Sequence, residues 1–199
     1  MDDDALDPPL RVDWVDAGEL ADGAGGRLGL TFLPGKHGAS ERYPGLVYRR
    51  SLEADLDTLR DGGIHYLVLL VDDDELRRWG DMGIVRRAAE RQITVDRRPV
   101  ADGEAPPSLE HMDETLGRLT RARRGGDVAV ACMGGVGRTG TVAACALVAA
   151  GWPADRAIDR IRALRHPTAV ETETQVAFVS AYERHVAVGA GARSGRRDP

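Results

Sequence analysis

A chain of 199 residues, 42% hydrophobic and 30% charged, is long enough for one domain with a full core and has the make-up of an ordinary globular protein. Its formal net charge of −5 argues against general nucleic-acid binding, which wants a basic face, but not against a small positive pocket for an anionic substrate. Two cysteines, Cys132 and Cys145, do not make a disulfide framework in a chain of this length. The acidic start, Met1 to Asp4, lacks an apolar signal core, and the longest apolar stretch, Val142 to Ala150, falls far short of the ~20 residues of a spanning helix. A cytoplasmic protein with no membrane or nucleic-acid partner is expected.

Taken in chain order, residues 1–10 read as an acidic tail and residues 11–187 as a single domain. Arg11–Val15 and Leu28–Leu33 are strand candidates. Leu52–Asp61 reads as a helix closed by Gly62 and Gly63. His65–Val71 is a nearly continuous apolar run, the pattern of a strand buried on both faces. Short helices are predicted over Asp73–Gly80 and Gly83–Arg91, then a strand over Gln92–Asp96. Ser108 can cap a helix running to Arg124, in which Leu109, Met112, Leu116 and Leu119 share a face. Asp127–Ala131 is another buried strand, and Arg138–Ala150 an alanine-rich central helix. Pro153 suits the first turn of the next helix, and Val176, Val179, Tyr182 and Val186 line up on a last one. Residues 188–199, rich in Gly and Arg and without periodicity, read as a disordered tail. Strands alternating with helices indicate an α/β layer architecture.

The informative stretch is Val128 to Gly140, which runs strand, glycine-rich turn, helix. A turn through Met133, Gly134, Gly135, Val136 and Gly137 can point successive backbone N–H groups into one hollow, and the helix that follows adds its unsatisfied donors and positive dipole end. Glycines let the backbone approach a phosphate closely. Donors that hold a dianion also stabilise a thiolate, the reactive form of the cysteine that opens the loop. Arg138, after five intervening residues, offers a planar fork for two phosphate oxygens, and Thr139 is placed to donate its hydroxyl toward the sulfur.

Three other readings compete. A Walker-type nucleotide loop needs Lys before its Ser/Thr, where this chain has Arg138. The glycine spacing does not match a dinucleotide-binding turn. Cys132 as a buried small hydrophobe sits poorly beside three glycines and an arginine, whereas Cys145, in an apolar run, takes that reading.

Cys132 and Arg138-Thr139-Gly140, placed between a strand and a helix, resemble the hallmark of cysteine-dependent protein phosphatases. With Pro99 to Gly103 and Val142 to Leu147, the chain looks most like the cyclin-dependent-kinase-inhibitor-3-like dual-specificity branch and its bacterial relatives, over roughly residues 28–186 and specifically over 93–150. The resemblance implies a central mixed, mainly parallel sheet flanked by helices, a protein-tyrosine-phosphatase-like fold, with the catalytic loop at one sheet end. It implies Cys132 as nucleophile, Arg138 as phosphate clamp, the loop from Met133 to Arg138 as substrate cradle, and no metal or organic cofactor.

The same resemblance places the general acid at Asp102, with Glu104 as the fallback; Asp102-Gly103 also reads as a plain turn. Relatives usually carry His before the cysteine, where this chain has Ala131, and a Gln where it has Glu171. Gln175 matches the second glutamine of the family's stretch and is the implied helper of the hydrolytic water, although Thr172-x-x-Gln175 is equally a capping box. Asp72 to Glu75 reads as a solvated helix start, and Arg49, Arg50, Arg97 and Arg98 could frame an anionic substrate.

The expected activity is phosphomonoester hydrolysis of a phosphoprotein or phosphopeptide, phosphotyrosine ahead of phosphoserine/threonine, through a phosphocysteine. A loop without lysine disfavours phosphoinositides, which call for extra positive charge. A phosphate-binding pseudophosphatase or adaptor, motivated by Ala131 and Glu171, and a sulfur-transfer or arsenate-reducing enzyme are the alternatives.

Overall fold

The computed structural model describes residues 8–40 and 43–194. Its elements in chain order are β1 (Asp13–Val15), α1 (Ala17–Leu20), β2 (Leu28–Phe32), β3 (His37–Ala39), β4 (Val47–Arg49), α2 (Leu52–Asp61), β5 (Ile64–Leu69), α3 (Asp73–Trp79), α4 (Ile84–Ala89), β6 (Thr94–Arg97), α5 (Leu109–Arg123), β7 (Asp127–Cys132), α6 (Gly137–Ala149), α7 (Ala154–Leu164) and α8 (Glu173–Ser194). A five-stranded sheet runs β1-β2-β7-β5-β6, and β3 and β4 form a separate hairpin. Only the β1–β2 pair in the large sheet is antiparallel; β2–β7, β7–β5 and β5–β6 are parallel. The architecture is the expected mixed, mainly parallel α/β sheet with helices on both faces.

The central strand shows why. Val128 to Ala131 are all 0% exposed, because β7 has a strand on each edge and helices on each face. Side chains alternate along a strand. Val128, Val130 and Cys132 join the apolar layer that holds buried residues of α5, α6, α7 and α8. Ala129 and Ala131 face the other layer, with buried residues of α2, α3 and α4. Helix α6 is buried along almost its whole length, as its run of Ala, Val and Leu requires.

Several boundaries differ from expectation. The first helix, α1, and the β3–β4 hairpin are too short to leave a periodic signal. Pro153 is the N-cap of α7 rather than part of its first turn. Leu10, read as part of a tail, is 3% exposed and belongs to the same apolar cluster as Leu33 and Leu52. Helix α8 continues to Ser194, past position 188 where the C-terminal tail was expected to begin. Residues 1–7 and 195–199 lie outside the described residues.

In register, Phe32 lies beside Cys132, and Leu69 beside both Ala131 and Arg97. The four parallel strands therefore end together, and the loops that leave them meet at one edge of the sheet, where α/β proteins build their sites.

Candidate active site

Cys132 is the last residue of β7 and is 3% exposed. The chain then turns through Met133 to Val136 and enters α6. Its N-cap, Val136, offers no side-chain acceptor to the first N–H groups of that helix. Gly135 adopts φ +66°, and a Cβ there would lie 2.4 Å from the Thr31 carbonyl oxygen. At Gly137 a Cβ would lie 2.4 Å from Glu171 Oε2 and 3.1 Å from Gln175 Oε1. These glycines are required because β2 on one side and the start of α8 on the other press against the loop.

Arg138 is 2% exposed and its guanidinium is densely engaged. Its Nη1 donates to Glu75 Oε2 at 2.8 Å and to the Val100 carbonyl at 2.8 Å. Its Nη2 donates to Glu75 Oε1 at 2.7 Å and pairs with Asp102 Oδ1 at 2.7 Å. Among the described residues no acceptor is bonded to its Nε. Burial opposes the charge, but the Glu75 hydrogen bonds, the nearby Cys132 sulfur and the Glu75 and Asp102 carboxylates outweigh it and raise the arginine's pKa further. A guanidinium so fixed is a permanent cation of set orientation beside the sulfur.

Glu75 escaped the sequence reading, which assigned Asp72 to Glu75 to solvent. Asp72 does cap α3, in a reciprocal capping box with Glu75. Glu75 uses the same carboxylate to hold Arg138 from 63 residues away. The signal available was the box itself, which places Glu75 at a fixed position in the first turn.

Asp102 sits in the loop after β6, its side chain 75% exposed, and lines the cleft over the cysteine loop. The turn reading is also realised, with Gly103 at φ +75°. Glu104, the fallback acid, lines a different groove beside Pro106 and Phe178. The loop is fastened to α8: Thr172 Oγ1 donates to the Gly103 carbonyl at 2.9 Å, and Gln175 Nε2 to the Glu104 carbonyl at 3.1 Å. Gln175 Oε1 accepts from the backbone of Glu171 at 2.9 Å, and Gln175 N donates back to Thr172 Oγ1. Gln175 thus reaches the site, with its amide engaged as a cap and a loop anchor.

Two expectations do not match the geometry. The Thr139 hydroxyl is buried and has no hydrogen-bond partner among the described residues, so the donation to sulfur is not made here. Arginines 50, 97 and 98 do not frame the cleft. Arg50 pairs with buried Asp55 at 2.6 Å, Arg97 with Asp73, and Arg98 donates to Thr115 and to the His111 carbonyl. Ala131 faces the α2–α4 layer at 0% exposure, so the place of the relatives' histidine is filled by packed hydrocarbon. Burial pushes the Cys145 thiol well up, which keeps it protonated and inert.

The cleft itself, about 350 Å³, takes its far wall from the β3–β4 hairpin. Lys36, Tyr48 and Trp79 line it opposite Met133, Gly134 and Val136. The Lys36 ammonium lies 4.2 Å from the centre of the Tyr48 ring. A cationic residue therefore lines the cleft from position 36, outside the lysine-free loop.

This fold, with a cysteine and a clamped arginine at the end of a parallel strand, defines a cysteine-dependent phosphatase architecture. The family model described as "Polymorphic toxin system, DSP-PTPase phosphatase" matches residues 45–152, and the chain belongs to this dual-specificity/protein-tyrosine phosphatase family. Human cyclin-dependent kinase inhibitor 3 is 25% identical over 190 residues, covering 93% of this chain and 84% of that protein. The rat protein is 24% identical, covering 90% and 81%. Among solved structures, kinase associated phosphatase with its catalytic-site cysteine replaced by serine superposes with a TM-score of 0.78 at 24% identity, covering 90% of this chain and 97% of that one. Tk-PTP in its active form gives 0.63 at 29% identity, covering 81% and 94%. Among the described residues no helix is long and apolar enough to cross a membrane.

Proposed function

We propose that this phosphatase hydrolyses phosphomonoesters on phosphoproteins through a phosphocysteine at Cys132. The observation that carries the reading is the Arg138 guanidinium, fixed by Glu75 and Val100 on one edge, with Nε and the Asp102-paired Nη2 on the other. That second edge is a two-pronged donor of the shape a phosphate dianion takes. A phosphate bound there displaces Asp102 from Nη2 and leaves its carboxyl beside the leaving oxygen.

The thiolate attacks phosphorus, and the ester oxygen departs with the proton of Asp102. Amides of the loop from Met133 to Gly137 and the Arg138 fork hold the equatorial oxygens as charge spreads over them. Asp102, now ionised, takes a proton from water as it attacks the phosphocysteine, which releases inorganic phosphate and restores the thiolate. Gln175 holds the Asp102 loop through the Glu104 carbonyl, so its part in this step is to position Asp102. No step calls for a metal.

Family membership and the names of the relatives support a phosphoprotein substrate, with the aromatic walls of Tyr48 and Trp79 suited to a phosphotyrosyl ring. Lys36 in the cleft favours a second reading, a more highly charged phosphoinositide. Cys132→Ser is expected to abolish turnover of p-nitrophenyl phosphate; full activity in that variant would end the proposal. Phosphopeptides and inositol phosphates assayed side by side decide the substrate, and a strong preference for the latter reverses the ranking.

A further inference from the structure

We infer that Arg165 and Asp13 form a brace that sets the direction of a loop amide in the anion hollow, which makes Arg165 a positioning residue for phosphate binding. The inference rests on reading the loop from Cys132 to Arg138 as that hollow.

Arg165 closes α7 and is 8% exposed. Its Nε donates to the Gly135 carbonyl at 2.9 Å, and its Nη1 pairs with Asp13 Oδ2 at 2.7 Å. Asp13 belongs to the edge strand β1, 152 residues away. A Cβ on Gly135 would lie 2.7 Å from Arg165 Nη2 as well as 2.4 Å from the Thr31 carbonyl oxygen, so the loop is held between β2 and this guanidinium.

The chain has no cis peptide bond among the described residues, so the Gly135–Val136 peptide is trans. In a trans peptide the carbonyl and the next N–H point in opposite directions. Anchoring the Gly135 carbonyl on Arg165 therefore aims the Val136 N–H away from Arg165. Met133, Gly134 and Val136 line the cleft, whereas Gly135 does not. A peptide free to flip would turn an oxygen into the hollow, where it would repel both thiolate and phosphate. Asp13 neutralises the nearly buried guanidinium, which would otherwise carry an unpaired charge.

The test compares wild type, Arg165→Met, Arg165→Lys and Asp13→Asn for vanadate affinity and for kcat/KM on p-nitrophenyl phosphate, at a temperature where each is folded by circular dichroism. Arg165→Met is expected to lose about tenfold to hundredfold in both, in parallel, as loss of a charged hydrogen bond implies. Arg165→Lys is expected to recover part of the loss, and Asp13→Asn to show a smaller fall in both. A folded Arg165→Met with wild-type vanadate affinity and kcat/KM overturns the brace. Should that variant not fold, wild-type vanadate affinity in Asp13→Asn overturns it instead. Wild-type protein that binds no vanadate sinks the hollow itself, a result distinct from failure of the brace alone.

Discussion

Arg138 Nη2 lies 2.7 Å from Asp102 Oδ1, so the proposed phosphate clamp and the proposed general acid are paired with each other. The pair joins a buried cation to a carboxylate whose side chain is 75% exposed, and it can open without burying a lone charge. In the proposed mechanism phosphate and Asp102 compete for the same N–H.

Asp102→Asn separates the two consequences. Without a proton donor, kcat on an alkyl phosphate is expected to fall by about 10² to 10⁴. Without the competing charge, vanadate is expected to bind a few-fold more tightly, since a pair whose carboxylate stays in solvent is worth about 1 kcal/mol or less. Steady-state kinetics with vanadate inhibition read both. Weaker vanadate binding would show that Asp102 does not compete for the clamp.

Glu75→Gln tests the fixed edge of the guanidinium. Two charge-assisted hydrogen bonds are weakened and a nearly buried arginine loses its main counter-charge. The expected cost is about 3 kcal/mol of stability. In the folded variant kcat/KM is expected to fall at least about tenfold, because a clamp that can rotate presents its fork less often. Thermal melts and kinetics together check it; wild-type kcat/KM would mean the orientation of Arg138 is set elsewhere.

Thr139→Val should change stability in the opposite direction. The hydroxyl is buried without a partner, and an isosteric methyl removes an unsatisfied group. A gain of about 1 kcal/mol is expected in denaturant unfolding. Destabilisation of that size or more would indicate that the hydroxyl is hydrogen-bonded in solution.

His111 gives the fold an acid-sensitive point. Burial, with the neighbouring Arg98 charge, holds its pKa below the ordinary 6.5. The unfolded chain then binds more protons than the folded one as pH falls below that value, so stability rises with pH through this window. The loss is complete only once pH has fallen through the depressed folded value. His111→Gln should flatten the stability difference between pH 7 and pH 5, read as denaturation midpoints. An unchanged difference would assign the slope to other groups. The carboxylates held low by arginines, Glu19 and Asp127, begin from 4.5 and 3.8 and act at more acid pH.

The chemistry of the loop was legible because it is contiguous. Cys132, the glycines and Arg138 occupy a single strand–turn–helix, so their spacing can be read in the sequence before the distant residues that brace the loop are known. The longer elements were legible for the same reason: α2 matched its expected bounds, and α5 its Ser108 cap. Ala131 was noticed as a departure, but that its side points into packed hydrocarbon follows only from the strand's place between two layers.

From the sequence alone came the fold class, the loop proposed to hold nucleophile and clamp, and a candidate acid, since each is written in neighbouring residues whose periodicity or turn chemistry acts locally. Glu75 on the clamp, Lys36 in the cleft, and Arg165 with Asp13 behind the loop were decided only by the tertiary structure. Each depends on the sheet bringing the ends of parallel strands to one edge, where side chains distant in sequence meet at hydrogen-bonding distance.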